Sequence, residues 1–366
     1  MDTEPSDSAS GTSAPPLFLT GAAGHVGANL VRRLLDDGAR VRVLLRHEDN
    51  NEAMDGLDVE RVYGDIRDLE ATRQALAGCH GVFHTAALVS TIEGDDAHRR
   101  DVFESNVIGT RNVLQAAQEF DTGRVVVTGS FSAVGYDLDD PSAPSRESMP
   151  FYPMERTMPY ERSKAMVETE CWHAAANGQD VVIATSCAVV GGNDFMPSRM
   201  GRTLVDFANG KLHAYVDGGF EFVAAEDIVQ GHVLSMERGR TGQKYIFSSE
   251  YQTISNMLDL FQEVSGIRRP QRQIPISLML PMSVVVSHVL SRLRPNDPQR
   301  FTPGAIRLLQ KCRHADTSKA KEELGFQPTT MRAAVRDAYA FHYQRKAITN
   351  ARAKRPESIF PEGEQS

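Results

Sequence analysis

Tyr160 and Lys164 stand four residues apart in Tyr160-Glu161-Arg162-Ser163-Lys164. That spacing puts both on one face of a helix, one turn apart. A free phenol loses its proton near pH ~10, and an ammonium beside it favours the phenolate and lowers that value. The pair can therefore give a proton to an oxygen or take one from it. Tyr-x-x-x-Lys alone is a common pattern. Its weight comes from a second stretch, Thr20-Gly21-Ala22-Ala23-Gly24-His25-Val26-Gly27, where three glycines separate an apolar run from a helical one. Glycine allows a tight turn, close approach of a pyrophosphate, and close packing of helix on strand. The helix N-terminus adds N–H donors and the positive end of a dipole. Backbone at Gly21, Gly24, His25, Val26 and Gly27 is thus the expected dinucleotide cradle, with no role assigned to the His25 side chain. The spacing is G-x-x-G-x-x-G, not the general G-x-G-x-x-G.

The end of the second apolar run decides which dinucleotide fits. An acidic residue there would meet the ribose 2′-hydroxyl, whereas arginine accommodates a 2′-phosphate. The chain reads Val43-Leu44-Leu45-Arg46-His47, and a guanidinium suits phosphate by charge and shape. NADP(H) is favoured over NAD(H). The alternative is a surface Arg46, with Glu48 or Asp49 serving NAD. Asp65 and Ile66, after the third run, are placed for the adenine, although Asp65 could equally be a loop or helix-capping carboxylate.

These residues need a scaffold. Leu17–Thr20, Val41–Leu45, Val59–Tyr63, Gly81–Ala86, Arg124–Ser130 and Val181–Ala184 read as strands. They alternate with helical stretches at Val26–Asp37, Leu69–Leu76, Asp101–Phe120 and Tyr160–Ala176. Such alternation implies βαβ units and a doubly wound parallel sheet covered on both faces. After about Gly191 the pattern loosens into a smaller α/β lobe. The expected organisation is a tail over 1–16, a nucleotide-binding core over 17–190, a mainly substrate-binding lobe over 191–346 with segments returning to the core, and a tail over 347–366.

Bulk properties are those of an ordinary globular protein: 366 residues, 41% hydrophobic, 24% charged, net charge −8. An acidic balance gives no support for nucleic-acid binding. Cys79, Cys171, Cys187 and Cys312 have neither metal nor disulfide spacing, which points to reduced cysteines and a cytoplasmic setting. The first residues show no signal-peptide pattern. The apolar stretch Ile274–Leu290 contains Pro275, Pro281 and His288 and is short for a spanning helix. It reads as a lobe helix beside a hydrophobic cleft, with a peripheral membrane contact as the alternative.

Together these pieces resemble the extended short-chain dehydrogenase/reductase family, over about Leu17 to Tyr343. The further motifs that carry the resemblance are Gly64-Asp65, His84-Thr85-Ala86-Ala87, Asn106-Val107-Ile108-Gly109-Thr110 and Ser130. Val43-Leu44-Leu45-Arg46, Met236-Glu237-Arg238-Gly239 and Asp316-Thr317-Ser318-Lys319-Ala320 resemble the dihydroflavonol-reductase-like and 3β-hydroxysteroid-dehydrogenase-like branch. The resemblance implies a Rossmann-type fold, Tyr160 as proton donor or acceptor, and Lys164 holding the nicotinamide ribose and depressing the phenol. It implies Ser130 polarising the reacting oxygen, with Ser132 as the competing hydroxyl. Thr85, Ala86 and Ala87 would line the cofactor groove. Asn106 would brace the site, join a proton relay, or pack its helix. Ser186 stands where the family often has proline beside the nicotinamide. A homodimer would pair the helices at Asp101–Phe120 and Tyr160–Ala176.

The resulting expectation is an NADP(H)-dependent ketone reductase or alcohol dehydrogenase for a small, fairly hydrophobic molecule, with Phe195, Met196, Phe207, Met279 and Met282 as candidate pocket walls. A sugar-nucleotide epimerase using NAD is the main alternative, with Arg199 and Arg202 as its diphosphate ligands. A sugar-nucleotide dehydratase is disfavoured, because Phe131-Ser132-Ala133 supplies no acid after Ser130. A non-catalytic dinucleotide sensor on the same fold is the remaining reading.

Overall fold

The computed structural model describes residues 14–140, 142–151, 157–293 and 302–358. The first half alternates β1 (Leu17–Thr20), α1 (His25–Asp36), β2 (Val41–Leu45), β3 (Glu60–Tyr63), α2 (Leu69–Leu76), β4 (Gly81–His84), α3 (Asp96–Phe103), α4 (Gly109–Glu119), β5 (Val125–Ser130), α5 (Pro159–Ala176) and β6 (Val181–Ser186). The second half contains β7 (Ala188–Val190), α6 (Arg199–Ala208), β8 (Ala214–Val216), β9 (Gly219–Ala224), α7 (Ala225–Arg238), β10 (Lys244–Phe247), β11 (Glu250–Thr253) and α8 (Ile254–Ser265). It closes with β12 (Arg272–Ile274), α9 (Ile276–Leu293), α10 (Pro303–Gln310), α11 (Ser318–Leu324) and α12 (Met331–Gln344).

Seven strands form one parallel sheet in the order β10-β6-β5-β4-β1-β2-β3. Strand order reverses at β1, where crossovers to β2 and to β4 diverge and leave a crevice at the carboxyl ends of the strands. Alternate residues of each strand feed opposite cores, as a period of two requires. Leu19, Val43, Phe83, Val126 and Val182 pack with α1 and α7, whereas Phe18, Leu44, Val82, Val127 and Ile183 pack with α2, α4 and α5. β10 lies in the stretch expected to form the lobe after Gly191, yet it closes the edge of this sheet beside β6.

The lobe has its own core, with Phe207, Phe222, Phe261 and Tyr339 among its buried members. Two small sheets, β11-β9-β7 and β12-β8, support it. Residues 347–358 differ from the expected tail. Ile348 and Ala353 are buried in the lobe core, and the Tyr339 hydroxyl donates to the Lys354 carbonyl at 2.6 Å. Apolar side chains in a charged, proline-bearing stretch were enough to dock it. At the other end the lead-in is described only from Ala14, and the Pro16 carbonyl accepts from His80 N–H at 3.1 Å.

The long helix expected at Asp101–Phe120 runs from Asp96 to Glu119, with a wide π turn at Glu104–Ile108. Among the described residues, no helix is long and apolar enough to cross a membrane.

Candidate active site

The glycine turn is built as the dinucleotide reading requires. Gly21 has φ +76°, and a Cβ there would lie 2.6 Å from Ala86 N. A Cβ on Gly27 would lie 2.2 Å from the Gly21 carbonyl oxygen. No other residue fits either place. Thr85 and Ala86 close the turn from β4: Thr85 N–H and Oγ1 both donate to the Thr20 carbonyl, at 3.2 and 2.8 Å. At α1 the N-cap is Gly24, with no side-chain cap and no acid in the first turn. Its N–H groups are therefore open to an anion. These residues fit a dinucleotide pyrophosphate.

The His25 side chain turns away from the crevice. Its Nε2–H donates to the Gly192 carbonyl at 3.0 Å in the lobe, which leaves its backbone and that of Val26 facing the expected cradle. At the adenosine end, Arg46 grips Asp49 through two 2.8 Å hydrogen bonds. Asp65 is held by Arg67 at 2.6 and 3.0 Å. Burial works to raise the Asp65 carboxyl, and Arg67 with Arg46 outweighs it, so the group stays below its ordinary value. Ile66 packs on Gly109, where a Cβ would come within 2.6 Å of it, and its carbonyl accepts from Asn112 at 2.9 Å.

The residues expected to transfer the proton lie near the carboxyl end of β5. Pro159 opens α5 at its first position, and Met158 N–H donates to Glu161 Oε2 at 2.7 Å. That start places Tyr160 in the first helical turn. Ser130 is the last residue of β5, and its hydroxyl is close enough to the Tyr160 phenol to favour loss of its proton. Its Oγ also lies 2.8 Å from Ser132 Oγ, so the two competing hydroxyls form one relay. Ser186 pairs in register with Ser130 from β6, and its Oγ donates to the Cys187 carbonyl at 2.9 Å. Half-buried Ala87 follows Ala86 along the same crevice.

Lys164 behaves differently from the simplest expectation. It is buried, and its Nζ donates to the Thr128 carbonyl at 2.8 Å. Burial pushes it down to about 8, with Cys171 and Glu168 opposing. Two imidazoles lie near enough to feel its charge. Burial, reinforced by Lys164, holds His84 at about 3. His232 is driven to about 4 by burial, against its bond to Ile228 and with help from Lys164. His84 is fixed by Thr20 at 2.7 Å and Thr110 at 2.9 Å, and His232 by Thr128 at 2.7 Å. The sequence reading has Lys164 lowering the Tyr160 phenol. Instead, burial raises it, the Ser130 hydroxyl works the other way, and Glu161 adds to the rise. A phenol above its ordinary value is a proton held in reserve.

Asn106 sits in the π turn, buried. Its amide group accepts from Leu88 N–H at 2.7 Å and donates to the Leu88 carbonyl at 3.1 Å and to Ser163 Oγ at 2.9 Å. Its contacts thus tie the chain after β4 to the helix carrying Tyr160.

The expected apolar walls do not gather into one pocket. Phe195 stacks edge-on to Phe341 at 5.0 Å, with Arg32 and Arg345 over its ring. Phe207 belongs to the lobe core. Met279 packs on Val216 and Ile306, while Met196 and Met282 are exposed. A cavity of about 720 Å³ opens elsewhere, lined by Tyr136, Asp140, Ser142, Arg307, Gln310, Lys311 and Cys312. It lies beside the segment that follows Ser130, beneath α10. Arg313 joins the two: its guanidinium donates to the Val134 and Gly135 carbonyls at 2.8 and 3.0 Å and lies over the rings of Phe131 and Tyr136. Lys311 covers Tyr136 at 4.7 Å. Sequence reasoning missed Tyr136, Lys311 and Arg313, because only tertiary contacts across about 180 residues bring them together.

Comparison with known proteins agrees with this architecture. The chain is 42% identical to sterol demethylase protein B of Methylococcus capsulatus over 90% of its own length and 99% of that protein's. It is 29% identical to 3beta-hydroxysteroid-dehydrogenase/decarboxylase isoform 1 of Arabidopsis thaliana over 85% of this chain and 75% of that one. The solved structure of gox2253 superposes with a TM-score of 0.79 at 29% identity, covering 92% of this chain and all of that one. Residues 17–248 match the profile of the NAD dependent epimerase/dehydratase family. The chain belongs to that family, within the extended short-chain dehydrogenases/reductases.

Proposed function

We propose that this protein is an NADP(H)-dependent oxidoreductase that interconverts a ketone and its secondary alcohol on a hydrophobic, ring-bearing small molecule. The observation that carries the reading is the Ser130 hydroxyl at the end of β5, close enough to act on the Tyr160 phenol, with Lys164 buried one turn further along α5. Ser130 Oγ holds the substrate oxygen, and the Tyr160 hydroxyl delivers or receives the proton there. Charge that develops on the phenol during transfer is met by the Lys164 ammonium. Bound in the glycine cradle, the dinucleotide supplies or accepts the hydride. Arg46, released from Asp49, supplies charge for a 2′-phosphate.

A second reading rests on Arg307 and Lys311, cations on the wall of the 720 Å³ cavity. Those cations suit a carboxylate on the carbon next to the alcohol. Oxidation of such a β-hydroxy acid gives a β-keto acid. Its carboxylate then leaves as CO2, the bonding pair passes into the ketone as an enolate, and a proton completes the product. The names of the sterol demethylase and the dehydrogenase/decarboxylase relatives favour this substrate class.

The test is a nicotinamide absorbance assay over ring ketones, their alcohols and steroid β-hydroxy acids, beside chromatographic product analysis of a panel of sugar nucleotides, since an epimerase returns its nicotinamide to the starting state in each turnover. Turnover of the ring compounds, lost by about 10²–10⁴-fold in Tyr160→Phe with cofactor binding retained, is the expected result. Turnover confined to sugar nucleotides would establish the epimerase instead.

A further inference from the structure

The helix α9 is apolar on two opposite sides. Its inner side packs Met279 against Val216 and Ile306, with Ile276 and Leu280 alongside. Its outer side leaves Leu278 55%, Met282 44% and Val284 51% exposed, and Pro281 and Ser277 share that face. A surface helix of a globular protein shows polar residues outward, and one apolar all round is covered by something.

Charge identifies what covers it. From Ile267 to Arg300 the sequence holds six arginines against one aspartate, a net +5 inside a chain of net −8. Arg268 and Arg272, at the foot of α9, are exposed and make no ion pair among the described residues. Arg269 is partly neutralised by Asp259 at 2.7 Å. A second copy of this acidic chain would bring net negative charge but no apolar layer suited to Leu278, Met282 and Val284 beyond the same face of α9. An anionic bilayer offers both a layer of hydrocarbon and a negative surface. We propose that α9 docks this protein on an anionic lipid surface, with Leu278, Met282 and Val284 entering the acyl boundary and Arg268 and Arg272 meeting the headgroups. The helix then lies in the interface and does not span it, consistent with the absence of a spanning helix among the described residues. Through Ile306, α10 rests on the inner side of α9, and Arg307 of α10 lines the large cavity. A docked α9 therefore sets that cavity beside the bilayer, from which a hydrophobic substrate can enter.

The experiment is co-sedimentation of the full chain with vesicles of phosphatidylcholine alone and of phosphatidylcholine with phosphatidylglycerol. The expected result is binding to the mixed vesicles that weakens with salt. Leu278→Ser/Met282→Ser/Val284→Ser and, separately, Arg268→Gln/Arg272→Gln should each weaken it by about tenfold or more. NADPH binding by both variants controls for folding. Equal binding to both vesicle types, no binding to either, or an unchanged triple variant overturns the proposal. So does a wild-type dimer that the triple variant dissociates while vesicle binding is absent, since the face would then join two copies.

Discussion

His25 Nδ1 lies 3.9 Å from Asp194 Oδ1, and both side chains are almost wholly buried. The contact joins the first residue of α1, at the dinucleotide cradle, to the lobe. Asp194 also accepts from Ser198 N–H at 2.8 and 2.9 Å at the start of α6, and His342 of α12 lies 3.8 Å away. Burial works to raise this carboxyl, and His342, His25 and Ser198 outweigh it, so it stays ionised. Asp194→Ala removes the acceptor and leaves a buried N–H unpaired. It should cost about 2–3 kcal/mol in urea unfolding and raise the KM for cofactor. Asp194→Asn, which retains an oxygen for Ser198, should lose less of both.

Acid should unfold the protein through His84 and His232. Their folded values of about 3 and about 4 lie below the ~6.5 of an unfolded imidazole. Between those limits the unfolded chain binds protons that the folded one refuses. Stability is therefore full above ~6.5 and falls as pH drops toward the folded values. At about pH 5 each histidine should account for about 2 kcal/mol of lost stability. Urea melts across this range should show the slope, and His84→Gln should remove about half of it.

Lys164 sets a second limit, on activity. With its value at about 8, the ammonium loses its proton as pH rises through that point. In the proposed mechanism reduction uses this charge and the Tyr160 proton together, so kcat for ketone reduction should fall above about pH 8. Lys164→Arg, a cation at every pH, should shift the alkaline limb upward in whatever activity it retains.

Ser130 and Ser132 share one hydrogen bond but not one task. Ser130→Ala should lower kcat by about 10²-fold, as removal of a polarising donor does. Ser132→Ala, which only reorients the Ser130 hydroxyl, should cost much less. Equal losses would make Ser132 a direct partner of the substrate.

Cofactor choice should respond to Asp49 as well as to Arg46. Arg46→Ala should weaken NADPH binding by about tenfold and leave NADH nearly unchanged. Asp49→Ala frees the guanidinium and should strengthen NADPH binding. Fluorescence titration with both nucleotides checks the pair.

The nucleotide half of the fold was legible because its signals are local. The period-two strands and the glycine turn are complete within a few residues, and Tyr160 and Lys164 come to Ser130 because α5, the next helix after β5, packs against that strand. The substrate side was not legible. Phe195 and Phe207 look like pocket walls by type, yet each has an aromatic partner elsewhere in the lobe. Tyr136 and Lys311 carry no motif, and Arg313 gains its role only from carbonyls of residues 131–135. The depressed Lys164 was hidden for a related reason: its spacing from Tyr160 is visible, but the dry surroundings that shift both groups are tertiary.

The wide turn at Glu104–Ile108 acts as a vernier. Each residue advances a helix by about 100°, so extra chain in one turn rotates everything before it relative to everything after. α4 can therefore keep Val113, Leu114, Ala116 and Ala117 locked on the sheet while α3 addresses α5 at a different angle. The lengths of neighbouring loops are free to drift; the length of this helix is not.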